Sequence, residues 1–276
     1  MYSRAYVEIT NICNKNCSFC PKTKRAPRKM SEAEFTEIAI KIKGVTDYIY
    51  YHLMGEPLTH PLLPRFIKIA NELGFKSAIT TNGTLLSEHG NELIESGVYK
   101  VNISLHSFEG GNDIEHKKYV NACLDFADKA SKSGVLVVLR LWNGGVNDTK
   151  NDATVSLIEE KFGKPEQVSS RGARLRPKLH LEYADRFVWP DMGAEDFGEN
   201  VFCQGLNDHF GILSNGTVVP CCLDHEGDIP LGNIFEDGIE KTLNSPKAIA
   251  IKKGFQCKKA VFELCRKCSY ARRFKV

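Results

Sequence analysis

The stretch EITNICNKNCSFCPKTKRAPRK, residues 8–29, places Cys13, Cys17 and Cys20 at spacings of four and three, and a run of lysines and arginines follows at once. Structural zinc sites want four ligands in a closed tetrahedron. Three thiolates with no fourth Cys or His beside them suit a cubane iron–sulfur cluster with one iron left open to chelate a small molecule. Ferredoxin spacings use four cysteines, and this stretch departs from them. The basic run reads as a solvated loop over the cluster, because a nucleic-acid patch wants interleaved aromatics and PKTKRAPRK has none.

Working outward, the chain has 276 residues at 42% hydrophobic composition, enough for one sizeable core or a large domain with an appendage. No window is apolar enough to cross a membrane. MYSRAYVEIT enters a strand-like pattern with no room for a signal peptide, so a cytoplasmic protein is expected. A net charge of +3 argues for neither nucleic acid nor membrane as a partner. Ten cysteines clustered at metal-like spacings in a long chain without an export signal point to metal rather than disulfides.

Residues 4 to about 190 alternate strands and helices, the pattern of an α/β domain with a parallel sheet. AYVEIT, DYIYYHLM, KSAITT, KVNISL, VLVVLRLW and KLHLEY are the strand candidates, more continuously apolar than alternating, as in parallel strands buried on both faces. SEAEFTEIAIKIKG opens with Ser31 as N-cap and Glu34 three residues on, a capping box, and stops at Gly44. PLLPRFIKIANELG and HKKYVNACLDFADKASKSG keep helical apolar spacing, with Cys123 on the apolar face as a packed thiol. Near residue 190 the pattern changes. WPDMGAEDFGEN reads as a linker, HFGILSNGTVVPCC as a β-hairpin turning at Asn215-Gly216, and DGIEKTLNSPKAIAIKKG as a helix interrupted by Pro246.

Cys13-x3-Cys17-x2-Cys20, with Phe19 before the last cysteine, resembles the signature of the radical S-adenosylmethionine (SAM) superfamily. That resemblance implies a 4Fe-4S cluster whose open iron binds SAM, reductive cleavage to a 5′-deoxyadenosyl radical, and hydrogen abstraction from a substrate. It extends through MGEPL, TTNGTLL and ISLHS, each at the C-terminal end of an expected strand. It implies that Gly55 lets the backbone approach SAM, that Glu56 accepts from its ammonium, that Thr80, Asn82 and Ser104 form the ribose region, and that Arg140 pairs with its carboxylate. The implied fold is a partial (β/α)6 TIM-like barrel over residues 1–190.

Cys203-x12-Gly216-x4-Cys221, followed by Cys265-x2-Cys268, resembles the SPASM/twitch extension in one branch of that superfamily, here over residues 191–276. It implies that Cys203, Cys221, Cys265 and Cys268 hold one auxiliary 4Fe-4S cluster, with Gly216 at the hairpin turn. The same four residues also suit a zinc knuckle as the lesser rival, and a non-catalytic zinc-binding protein stands as the alternative of another class. Cys257 has no partner in the pattern. Cys222, beside a cluster ligand, reads either as a small packed residue or as a thiol that returns a hydrogen atom to a substrate radical.

Two outcomes follow: epimerisation with Cys222 as donor, or oxidation with the auxiliary cluster as electron acceptor. The cysteine spacings resemble those of an aminocyclitol dehydrogenase and favour a sugar- or polyol-like small molecule. The alternative is maturation of a ribosomally made peptide, and the early first strand leaves no leader-binding domain ahead of the barrel. A low-potential donor such as flavodoxin or ferredoxin is implied. Tyr51, His52, His106, Trp142, Glu182, Asp224 and His225 are expected near the barrel mouth.

Overall fold

In a computed structural model the described residues are 1–146 and 150–273. Six parallel strands form the frame: β1 (Arg4–Val7), β2 (Tyr48–Tyr50), β3 (Lys76–Thr81), β4 (Lys100–Ser104), β5 (Leu136–Gly144) and, after the edge hairpin of β6 (Gln167–Ser169) and β7 (Gly172–Arg176), β8 (Leu179–Asp185). Helices α1 (Glu32–Ile42), α2 (Leu63–Glu72), α3 (Leu86–Glu95), α4 (Asp113–Lys132) and α5 (Asn151–Phe162) make the crossovers. This is a partial TIM-like barrel. The chain after β8, residues 186–208, is irregular.

Local chemistry sets these elements as expected. The Ser31 side chain accepts from the Glu34 N–H while Glu34 accepts from the Ser31 N–H at 2.8 Å, closing the capping box. Pro246 does not interrupt a helix but begins one. It sits in the first turn of α7 (Pro246–Gln256) behind the N-cap Ser245, after the short α6 (Ile239–Leu243).

The C-terminal hairpin, β9 (His209–Ile212) and β10 (Thr217–Val219), turns at Gly216, whose φ is +86°. A Cβ there would lie 2.4 Å from the Phe235 ring, so both conformation and space require glycine. β9 pairs in parallel with β1, and β11 (Gly232–Asn233) pairs with β10. Among the described residues the sheet therefore has eleven strands in the order β11-β10-β9-β1-β2-β3-β4-β5-β8-β7-β6.

The strands are not buried alike on both faces. Val7, Ile49, Ile79, Val101, Ile103 and Leu139 pack under the helices with Phe35, Ile67 and Val120. The alternate residues, Tyr6, Tyr50, Thr80, Asn102, Arg140 and Glu182, face the concave side and are largely polar. The interior of a half-open barrel must accommodate solvent or a ligand, and the composition follows.

Candidate functional site

The loop between β1 and α1 carries the first three cysteines at the C-terminal edge of the sheet. Cys13 is exposed, Cys20 is half-buried, and Cys17 is buried with its thiol 3.7 Å from the Ser107 carbonyl beyond β4. Lys22, at a left-handed φ of +63°, donates through Nζ to the Cys17 and Cys20 carbonyls at 2.7 and 3.2 Å and so closes the turn. Asn82, after β3, reaches the Cys13 sulfur at 3.9 Å and Asn14 Oδ1 at 2.9 Å through Nδ2. Burial raises the Cys13 and Cys17 thiols, Cys17 to about 11, so a cluster held there would have to displace their protons.

The Gly-Glu-Pro segment supports this loop from beneath. Gly55 has φ +79°, and a Cβ would stand 2.4 Å from the Thr10 carbonyl oxygen. Its openness is thus used by the cysteine loop itself. The Glu56 carboxylate accepts from the Asn82 N–H at 2.7 Å and the Leu58 N–H at 3.1 Å, and burial raises it to about 7. It faces backbone amides and fixes Asn82. Ser104 ends β4 in register with Arg140, and Arg140 in turn stands opposite Glu182. Arg140 Nε donates to Glu182 at 3.1 Å, and its guanidinium lies 4.4 Å from the Trp142 ring centre. His106 Nδ1 lies 3.1 Å from the Arg140 carbonyl, and burial lowers the ring to about 4, so the imidazole is neutral.

Three of the residues expected at the mouth lie elsewhere. Tyr51 belongs to the helix-facing side of its strand, stacked near Phe35 with its hydroxyl 3.0 Å from Ser77 Oγ. Strand alternation gives its neighbours Tyr50 and His52 the concave face. Asp224 closes a turn by accepting from the N–H groups of Gly227, Asp228 and Ile229, and His225 is buried beside it.

The basic run is a structural clasp and not a solvated loop. Glu8, fully buried in β1's continuation, accepts both Nη groups of Arg25 at 2.7 and 2.6 Å, the Met54 N–H at 3.3 Å and the Ser214 N–H at 3.1 Å. Arg25 Nε also donates to the His225 carbonyl at 2.9 Å, and Arg28 Nε to the Ser214 carbonyl at 2.7 Å. The available signal was Glu8 itself: a carboxylate inside an apolar strand demands a cation.

The remaining cysteines gather as their spacing suggests. Cys203, Cys221, Cys265 and Cys268 line one cavity closed by Val201, Ile229, Phe255 and Leu264. Burial and their neighbours raise all four thiols. Among the described residues no three His, Cys, Asp or Glu side chains converge on a point suited to a single metal ion. Four sulfurs around an apolar cavity fit a cluster, which has volume, better than a lone ion with its ligands about 2.3 Å away. Cys257 is exposed and stands apart. Cys123 is buried on the inner face of α4 as a packed thiol.

Cys222 turns from that cavity towards the concave face. It packs with Tyr6 against Leu53, Leu213 and Val219. Burial raises the thiol to about 11, which keeps it as S–H at neutral pH. The sequence reading missed Tyr6, Lys22 and Arg25.

Comparison with known proteins adds the following. Residues 7–158 match the Radical SAM superfamily model, and residues 203–269 match SPASM, an iron–sulfur cluster-binding domain. A probable GTP 3′,8-cyclase of Archaeoglobus fulgidus is 31% identical over 265 residues, covering 80% of this chain and 86% of that protein. The GTP 3′,8-cyclase of Chlorobaculum tepidum is 27% identical over 207 residues, covering 71% of this chain; the chain spans only 59% of that relative's length. BtrN in complex with AdoMet and 2-DOIA superposes with a TM-score of 0.62 at 19% identity, covering 97% of this chain and 93% of that one. Streptococcus suis SuiB bound to its precursor peptide SuiA gives 0.62 at 15% identity, covering 99% and 70%. Among the described residues no helix is long and apolar enough to cross a membrane.

Proposed function

The chain belongs to the radical SAM superfamily, in its SPASM/twitch branch, and from the setting of Cys222 we propose that it epimerises a hydroxylated small molecule. It is an enzyme that uses S-adenosylmethionine and 4Fe-4S clusters. Bound together, these supply a 5′-deoxyadenosyl radical that removes a hydrogen atom from substrate. In this reading Cys13, Cys17 and Cys20 hold the SAM-binding cluster, and Cys203, Cys221, Cys265 and Cys268 hold the auxiliary one. Gly55 and Glu56 hold the cysteine loop and Asn82 in place, while Thr80, Ser104 and Arg140 border the SAM and substrate space.

The observation that carries the reading is the placement of Cys222, next in sequence to the cavity-lining Cys221 yet packed with Tyr6 towards the polar concave face. Cys222 gives its hydrogen atom to the substrate carbon radical, inverting the centre. The sulfur radical left behind takes up one electron from reduced flavodoxin or ferredoxin and one proton from solvent; a cluster held by Cys203, Cys221, Cys265 and Cys268 would supply a path for that electron. A second reading, oxidation of the substrate, is favoured by that same cavity, since a cluster there can accept the electron. Maturation of a peptide is the alternative substrate class, supported by the likeness to peptide-bound SuiB.

Anaerobically reconstituted enzyme, given SAM and reductant in D2O with a panel of sugars and aminocyclitols, tests this. The expected product has unchanged oxidation state and one solvent-derived deuterium at the inverted carbon. Cys222→Ala is expected to form 5′-deoxyadenosine without that product. A wild-type product lighter by two hydrogens, formed equally by Cys222→Ala, overturns the epimerase reading in favour of oxidation.

A further inference from the structure

The concave face carries chemistry that hydrogen-atom return does not use. Strand register sets Tyr50 beside Ala78 and Ala78 beside Lys100, and one row further sets Thr80 beside Asn102. His52 follows on the Tyr50 side, its Nε2 3.3 Å from Thr80 Oγ1. Asn102 Nδ2 donates to the Ile79 carbonyl at 3.1 Å and to Thr80 Oγ1 at 3.2 Å. The other ends of these side chains are idle. His52 Nδ1, Asn102 Oδ1 and Trp142 Nε1 are buried without a hydrogen-bond partner among the described residues. Asn102 is wholly inaccessible. Orphaned polar atoms of this kind are rare in folded proteins and each requires an explanation.

Charge on the same face is also unbalanced. Arg4 pairs with Asp208 at 2.6 Å and Arg140 with Glu182 at 3.1 Å. Lys100, half-buried and facing both arginines, makes no ion pair among the described residues. Burial and the Arg140 charge hold its ammonium below the ordinary lysine value, against the opposing charge of Glu182, which Arg140 already engages. A desolvated cation of this kind costs free energy until an anion joins it.

We propose that this face is a substrate subsite for a polyhydroxylated small molecule bearing one carboxylate or phosphate. The oxyanion sits on Lys100, and hydroxyls meet His52 Nδ1 and Trp142 Nε1. Trp142 donates and neutral His52 does either, so hydroxyl groups satisfy both. The assignment rests on the reading that the concave face receives the substrate, and it names that substrate's class.

Anaerobic titration calorimetry on the holoenzyme with SAM, using gluconate, glucitol, acetate and inorganic phosphate as probes, tests it. Gluconate is expected to bind saturably and at least about tenfold more tightly than glucitol, acetate or phosphate. Lys100→Met is expected to weaken gluconate at least about tenfold, and Lys100→Arg to restore it. Glucitol binding as tightly as gluconate overturns the anion site, as does a Lys100→Met variant that binds normally. Inorganic phosphate binding as tightly as gluconate overturns the hydroxyl contacts, and no saturable binding by either anion overturns the subsite. The titration involves no turnover. Gluconate binding that survives while deuterium delivery fails therefore refutes the epimerase reading alone.

Discussion

Replacing Arg25 by Met should destabilise the protein far more than its place in a basic loop suggests. Glu8 is inaccessible to solvent, and Arg25 retains only 15% exposure of its side chain. The two make a bidentate pair at 2.7 and 2.6 Å. Removing one partner of a buried pair costs about 3–5 kcal/mol, because the other charge is left uncompensated. Glu8 keeps two amide donors, at 3.3 and 3.1 Å, so a loss just below that range, about 2–3 kcal/mol, is expected. At about 2–4 °C per kcal/mol for a chain of this size, melting should fall by about 4–12 °C. The exposed Lys132–Asp128 pair is equally short at 2.8 Å, yet Lys132→Met should change stability by less than about 1 kcal/mol. Thermal unfolding by circular dichroism under argon reads both. Glu8→Gln combined with Arg25→Met should recover part of the loss, since the double variant leaves no unpaired charge. An Arg25→Met melting point within about 2 °C of wild type, or strictly additive losses in the double variant, refutes the reasoning.

Burial lowers His52 to about 3, while an unfolded histidine titrates near 6.5, so between those values the unfolded chain binds more protons. The stability at stake is intact above about pH 6.5 and shrinks on acidification, by at most about 2 kcal/mol at pH 5, and His52→Leu should flatten that slope in denaturant titrations at several pH values. Gly216→Ala puts a Cβ 2.4 Å from the Phe235 ring at a positive φ, and a loss of about 2–3 kcal/mol in urea unfolding is expected. Replacing Cys13, Cys17 and Cys20 together by Ala should lower bound iron from about eight to about four per chain by colorimetric assay; none retained would remove the auxiliary cluster.

The parallel frame was legible because its strands and capped helices obey local rules: the Ser31 capping box and the Asn215-Gly216 turn depend on residues a few positions apart. The two cysteine groups were legible because thiols at short spacing have few other uses. The sidedness of the sheet was not. KVNISL looks apolar when read for composition, yet Lys100, Asn102 and Ser104 occupy one face of β4, and only register with β3 and β5 brings them beside Thr80 and Arg140. Tyr51 was misplaced by the same omission, one residue of alternation. The Arg25 clasp spans contacts 17 and 200 residues apart in sequence, and no periodicity encodes a pair of that kind.

The pairing of β9 with β1 fixes an order of events in the making of this protein. During synthesis β1 emerges with one edge covered by β2 and the other bare, and it stays bare until His209–Ile212 arrives some 200 residues later. The Arg25 and Arg28 anchors on His225 and Ser214 wait for the same segment. A nascent chain lacking it exposes an apolar strand edge next to an unanchored cysteine loop, which invites aggregation. Iron delivery to Cys13, Cys17 and Cys20 therefore belongs after the C-terminal third has folded, and truncation near residue 190 should yield insoluble protein instead of a smaller enzyme.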